Sequence, residues 1–105
     1  MPTSVQSSQE ITERLEGCRS QIFALGVRRV ALFGSFLHGR VRPDSDIDLL
    51  VEFDPAMKTS DNFLDLCFLL DELLGRRVEV VTTEALSPYI GPHILREAVD
   101  VLYTA

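Results

Sequence analysis

The chain has 105 residues, of which 46% are hydrophobic and 25% charged, a balance typical of a globular domain and not of a disordered chain. A formal net charge of −6 argues against direct nucleic-acid binding, which depends on lysine and arginine contacts with phosphate. No apolar run reaches the roughly 20 residues that a membrane-spanning helix needs, and the start lacks the features of a secretory signal, so we expect a cytoplasmic protein. We predict a flexible segment over residues 1–8 and a single domain over residues 9–105.

The first predicted element is an amphipathic helix over residues 9–25. Its apolar residues recur at steps of three and four positions, which places them on one face of a helix. Ser7 or Ser8 can cap its start, because a serine hydroxyl accepts a hydrogen bond from a free N–H group of the first turn. Gly26 can end the helix in the left-handed conformation.

Two short strands are predicted next, joined by a polar loop. Residues 28–33 form an apolar run that ends at Gly34 and reads as a buried strand. Residues 35–42 are too short and mixed for a helix, so we expect one turn followed by a loop. Residues 46–53 have the length and composition of a second strand.

The second half of the chain predicts a helix, a strand and a last helix, over residues 60–74, 77–82 and 88–103. Apolar residues cover more than one face of the first of these helices, which favours a protein interface there, and the chain could form an oligomer. The whole order predicts an α/β domain with a small sheet covered by helices. The predicted buried residues are Phe63, Cys67, Leu70 and Leu74 in the first helix and Ile90, Ile94, Ala98 and Val101 in the second.

Four residues are assigned structural roles by their surroundings. Cys18 and Cys67 both lie among apolar residues at helical spacing, so they are expected to be buried, reduced thiols. Arg76 and Arg77 come directly after the predicted helix of residues 60–74. They are expected to serve its C-terminus or a partner surface, since arginine interacts favourably with the free carbonyl groups there.

Two acidic residues at the start of the second strand carry the chemical signal. Asp46 and Asp48 stand two positions apart, so on a strand both carboxylates leave the same face. At about 4 Å and an effective dielectric near 20 their repulsion is about 4 kcal/mol, which a cation, an arginine or a shared proton must relieve. Mg²⁺ fits this role, because it binds one or two carboxylates together with substrate phosphates. Without further context such a pair is usually a solvated strand edge.

A glycine–serine turn supplies that context. Gly34 permits a close backbone approach to a ligand, and free N–H groups with the Ser35 hydroxyl can face a phosphate. If the two strands return as an antiparallel hairpin, this turn and the acidic pair meet at one sheet edge. Arg40 and Arg42, in the connecting loop, could neutralise the triphosphate or the leaving pyrophosphate, or could be plain surface residues.

Glu79 is the candidate third carboxylate. It alternates with Val78 and Val80 on the predicted third strand, so it would face Asp46 and Asp48 if that strand lies beside theirs. Two metal ions bridged by the aspartates could then hold the triphosphate and activate the attacking hydroxyl. Glu79 would assist the second metal ion, either as a ligand or as a base.

These residues resemble the signature of the polymerase-β-type nucleotidyltransferase superfamily: Gly34 and Ser35, ten residues, then Asp46 and Asp48. Four fixed residues at average usage match by chance about once in 10⁵ starts. The wider pattern over residues 10–103 resembles the minimal nucleotidyltransferases. The resemblance implies a polymerase-β-like core with a small mixed sheet flanked by helices, with Mg²⁺ as cofactor and ATP as donor.

The same resemblance implies a partner, because such proteins are typically encoded beside a helical HEPN-type protein. It implies an antitoxin that neutralises a ribonuclease toxin, by transferring AMP from ATP to a toxin tyrosine or by complex formation. Modification of a small molecule is a third possibility, usually found in longer chains. The chain departs from the family pattern at Leu37 and His38, where a small residue and an arginine are usual, and at Glu79, where aspartate is usual.

Overall fold

The computed structural model describes residues 4–89 and 91–103, which contain four helices and four strands. Within these residues no helix combines the length and the apolar character needed to cross a bilayer. The elements in chain order are α1 (Ser8–Gly17), α2 (Arg19–Ala24), β1 (Val27–Phe33), β2 (Ile47–Phe53), α3 (Ser60–Leu74), β3 (Val78–Thr82), a 3₁₀ turn (Thr83–Ala85), α4 (Gly91–Glu97) and β4 (Val99–Tyr103).

The four strands form one mixed sheet in the order β3-β2-β1-β4. Strand β1 pairs antiparallel with β2 and with β4, whereas β2 pairs parallel with β3. A parallel pair needs a long crossover connection, which α3 provides. Leu32 of β1 and Leu49 and Val51 of β2 are fully buried. The sheet with its helices confirms the predicted α/β class and the small mixed sheet.

The predicted helix over residues 9–25 is interrupted at Cys18. Its backbone leaves the helical region there, at φ −115° and ψ 20°, and glycine at position 17 weakens the helix just before the break. The second part of the predicted helix, α2, still packs on the core, with Ile22 fully buried. Of the two predicted caps, Ser7 accepts the hydrogen bond, and Gly26 follows with φ 94° as expected.

The start of the described chain is part of the packed domain. Val5 is fully buried, and its N–H donates to the Leu74 carbonyl at 3.1 Å. The prediction of a flexible segment over residues 1–8 is therefore wrong for residues 4–8, and residues 1–3 lie outside the described part. A single valine among polar residues gave no periodic signal from which this anchoring could be predicted.

Helix α3 has the predicted bounds but buries a different face. It begins after Thr59, whose hydroxyl accepts from the Asn62 N–H, and ends at Gly75 in the left-handed conformation with φ 66°. The chain offers two apolar stripes on this helix, and packing selects the one that contains Leu66 in place of Phe63. Both cysteines are free, as predicted, but are half-buried and not buried. The fully buried α3 residues are Leu66, Leu70 and Leu74, whereas Phe63 and Cys67 are half-buried.

The predicted helix over residues 88–103 is wrong in its second half. Helix α4 stops at Glu97 and the chain continues as strand β4, paired with β1. Valine and tyrosine favour strands, and β1 would otherwise present an unpaired edge. Of the four residues predicted to face inward, Ile94, Ala98 and Val101 are half-buried, and Ile90 lies outside the described residues.

Replacing Leu102 by alanine tests how firmly β4 belongs to the domain. Leu102 is fully buried, so its truncation should lower the free energy of unfolding by about 2–5 kcal/mol. The measurement is urea denaturation followed by circular dichroism. Val99→Ala, on the same strand but 51% exposed, is the matched control and should cost much less. Equal losses in the two variants would contradict the burial of Leu102.

Candidate active site

The end of β1 and the start of β2 meet at one edge of the sheet. Phe33 lies opposite Asp48 in the antiparallel register, and Gly34 follows with φ 80°. A Cβ atom at Gly34 would lie 2.2 Å from Oδ2 of Asp48, so only glycine lets the turn pass directly beside this carboxylate. The predicted hairpin-like return of the two strands is confirmed.

The turn after Gly34 folds tightly on itself. The Gly34 carbonyl accepts from the His38 N–H at 3.3 Å, and the Ser35 carbonyl accepts from the Arg40 N–H at 2.9 Å. Within residues 4–89 and 91–103 the structure gives the N–H groups of Ser35 and Phe36 no acceptor. Free N–H groups at a glycine turn form an anion-binding concavity, so this turn can receive a phosphate.

Asp48 and Glu79 lie side by side on neighbouring strands. They are partners in the parallel register of β2 and β3, which confirms that Glu79 faces the acidic pair. Burial, the charge and hydrogen bond of Glu79, and the charge of Asp46 together raise the pKa of Asp48 from 3.8 to about 6. The site therefore holds a carboxylate whose negative charge is poorly compensated, as expected for a group that a cation would stabilise.

Asp46 is more exposed to solvent than Asp48. It precedes the first residue of β2 and is exposed, so the prediction that it lies on the strand is wrong. Among the described residues no group of three or more histidine, cysteine, aspartate or glutamate side chains is arranged to hold a metal ion. Mg²⁺ nevertheless needs only one or two carboxylates when phosphates supply further ligands. The neighbouring carboxylates of Asp48 and Glu79 supply two such oxygen donors.

The two arginines of the connecting loop are not brought to the carboxylates. Arg40 and Arg42 are both exposed, and in the part of the chain that the structure describes neither guanidinium has a hydrogen-bond or ion-pair partner. The Arg42 N–H donates to the Ser45 hydroxyl at 2.8 Å, which shapes the loop by its backbone. These two side chains would have to move toward the carboxylates when a ligand binds in order to contact it.

A second cluster beside the turn was not predicted. Glu97, at the end of α4, accepts a hydrogen bond from Nε2 of His38, and His93 approaches it at 3.7 Å. The hydrogen bond from His38 is the main cause that lowers the pKa of Glu97, and the Gly34 N–H contributes. His38, at the position where the resemblance implies an arginine, thus pairs with a carboxylate. The four-residue spacing of His93 and Glu97 was the one available signal.

Comparison with known proteins agrees with this geometry. Residues 12–101 match the family model described as a nucleotidyltransferase domain. The protein adenylyltransferase MntA of Thermococcus cleftensis is 40% identical over 76 residues, which cover 72% of this chain and 76% of the relative. A solved structure of a candidate minimal nucleotidyltransferase is 37% identical, with a TM-score of 0.68, and the match covers 84% of this chain and 93% of that one.

A second solved structure extends the likeness of fold. It contains a tri-AMPylated HEPN toxin of Shewanella oneidensis in complex with an MNT antitoxin, with 18% identity and a TM-score of 0.56 over 85% of this chain and 72% of that one. At this identity the likeness concerns the fold alone. The family model spans most of the chain, and the Gly34 turn lies against Asp48 as the motif requires. The chain therefore belongs to the nucleotidyltransferase family, as a minimal nucleotidyltransferase.

Proposed function

We propose that the chain transfers AMP from magnesium-bound ATP to a protein acceptor, and that the acceptor is a HEPN-type ribonuclease toxin which it neutralises. The observation that carries the proposal is the contact of the Gly34 turn with Asp48, which itself pairs with Glu79. A phosphate-binding turn and a pair of metal-binding carboxylates then serve one triphosphate.

In this proposal each residue acts on a different part of the reaction. The free N–H groups of the turn and the Ser35 hydroxyl bind and orient the phosphates. Asp46 and Asp48 hold Mg²⁺, which when bound neutralises phosphate charge and polarises the α-phosphate. Glu79 either holds a second Mg²⁺ or accepts the proton of the attacking hydroxyl. Arg40 and Arg42 close on the triphosphate from the loop.

Similar proteins support the choice of acceptor and donor. One relative is named a protein adenylyltransferase, and a structure of similar fold contains an AMPylated HEPN toxin with its MNT antitoxin. A protein acceptor also suits a chain of this size, because an acceptor protein can supply the surface that positions its own hydroxyl group. Both proteins would meet in the cytoplasm.

The test is transfer of labelled AMP to a co-expressed HEPN-type partner in the presence of Mg²⁺. Wild type should label the partner, and the double variant Asp46→Asn/Asp48→Asn should not. Asp44→Asn removes an exposed carboxylate of the same loop outside the motif, so it is the matched control and should label normally. Equal labelling by wild type and the double variant would refute the proposal.

The second candidate is neutralisation by complex formation alone. It is favoured by the finding that no three-ligand metal cluster is preformed within the described residues. Growth rescue separates the two candidates, because a masking antitoxin does not need its aspartates. If the double variant protects cells from the toxin as fully as wild type does, masking is the function and transfer is not.

A further inference from the structure

One buried arginine lies between the two halves of the nucleotidyltransferase motif. Arg76 is 9% exposed, and none of the described carboxylates pairs with it. Its Nε donates to the Val5 carbonyl at 2.7 Å. The expectation that Arg76 serves the end of α3 or a partner surface is therefore wrong, because the side chain turns into the protein.

The guanidinium holds the loop that leads into Asp46. Three backbone carbonyls of this loop, all within the four residues before Asp46, accept hydrogen bonds from the same guanidinium nitrogen, Nη1. Three such acceptors fix the path of the loop more tightly than a single contact could. The acceptors of Nη1 are the carbonyls of Arg42 at 2.9 Å, Pro43 at 3.2 Å and Ser45 at 3.2 Å.

The same guanidinium contacts the other half of the motif. Its central carbon lies 5.0 Å from the centre of the Phe36 ring, which is close enough for a cation–π interaction. Phe36 follows Ser35 directly and is itself buried. Arg76 therefore joins the residue after the phosphate-binding turn to the residues before the metal-binding carboxylates.

We propose that Arg76 is a positioning residue for nucleotidyl transfer. It fixes the separation between the Gly34–Ser35 turn and Asp46, so that the phosphates and their metal ion meet in register. Arginine suits this role because its planar fork carries five donors and stays charged. The role in catalysis rests on the proposed function, whereas the ordering of the loop does not.

The test compares Arg76→Lys with wild type by two measurements on the purified chain. Lysine keeps the charge but has one nitrogen, which cannot span Val5 and the loop together. Amide hydrogen exchange over residues 40–46 should be faster in the variant. Binding of Mg²⁺–ATP should weaken about 10–100-fold, because replacing a residue that orients the ligands of a metal site typically lowers the affinity by that factor. Ile22→Ala, which loosens the core at α2, is the control for general destabilisation.

Each outcome decides a separate point. If Arg76→Lys matches wild type in both measurements, or if Ile22→Ala weakens Mg²⁺–ATP binding equally at an equal loss of Tm, the positioning role is refuted. If wild type itself does not bind Mg²⁺–ATP, the proposed function fails and the exchange measurement alone decides whether Arg76 orders the loop.

If Arg76→Lys does not fold, the wild-type chain still supplies a test. In native-state exchange under increasing denaturant, the Nε–H of Arg76 and the amides of residues 40–46 should lose protection together. Loop amides that exchange freely while the Nε–H stays protected would overturn the proposal.

Discussion

Replacing Asp48 by asparagine is expected to abolish nucleotidyl transfer while making the nucleotide-free protein more stable. Transfer should fall by about 10³-fold or more, because in the proposed mechanism Asp48 holds a metal ion that supplies several kcal/mol, and each 1.36 kcal/mol is tenfold in rate. Stability should rise because the amide carries no charge beside Glu79. The measurements are AMP transfer and urea denaturation of the same two proteins.

The gain in stability should depend on pH in a defined direction. Folding raises the pKa of Asp48 from 3.8 to about 6, so the folded protein binds this proton more tightly than the unfolded chain. Below pH 3.8 Asp48 is protonated in both the folded and the unfolded state, so it does not lower the stability of the wild type relative to the variant. As pH rises from 3.8 through about 6 the wild type loses stability relative to Asp48→Asn, and above that range the difference is constant.

The size of this difference follows from the same shift. The full pKa shift corresponds to a difference in unfolding free energy of at most about 3 kcal/mol between the variant and the wild type. Because Asp48 is partly exposed, solvent screens its charge, and we expect a difference of about 1 kcal/mol. Added Mg²⁺ should stabilise wild type above this pH range and leave Asp48→Asn unchanged. A wild type that is as stable as the variant at neutral pH, and that does not respond to Mg²⁺, would contradict the prediction.

Replacing Gly34 by alanine should damage both the fold and the site. The new Cβ would lie 2.2 Å from Oδ2 of Asp48, and the backbone would keep a positive φ of 80° that costs alanine about 1–3 kcal/mol. Either the turn or Asp48 must move. A displacement of this kind near the reacting groups should reduce transfer by about 10²-fold. Transfer and Tm are measured side by side.

Gly39→Ala is the matched control for this substitution. Gly39 also has a positive φ, of 71°, but a Cβ there would meet nothing within 4 Å. It therefore shares the backbone strain of Gly34→Ala without the clash against Asp48. We expect a similar loss of Tm from strain and nearly normal transfer. If the two alanine variants lose transfer equally, the contact with Asp48 does not explain the need for glycine at position 34.

The centre of the site could be predicted because it depends on neighbouring strands. Alternation along a strand placed Glu79 on the face of Asp48. An antiparallel return of the two strands placed Gly34, at the end of one strand, beside Asp46, at the start of the next. The parallel pairing of β2 with β3 then brought the two carboxylates together. Asp46 was misplaced by one residue, because the exact start of a strand depends on pairing that the local sequence does not encode.

The parts that were missed depend on contacts distant in sequence. Strand β4 follows α4 after Ala98, and its apolar residues fit a helical as well as a strand pattern until β1 is there to pair with them. Glu97 lies beside His38 in a fold in which β4 returns the chain to β1. Arg76 looked like a helix-end residue because its acceptors are backbone carbonyls, which carry no signature in the sequence.

The hydrogen bonds of Arg76 also constrain the order of folding. Arg76 donates hydrogen bonds to Val5 and to the loop before Asp46. All residues of the Gly-Ser and Asp-x-Asp motif are therefore synthesised before the arginine that orders the loop between them. During synthesis the ribosome must release α3 and the start of β3 before this loop is fixed. Glu79 can join Asp48 only after it has been synthesised as well, because α3 separates the two strands in the sequence. A nascent chain that ends after β2 would carry every residue of the Gly-Ser and Asp-x-Asp motif and still lack an ordered nucleotide site.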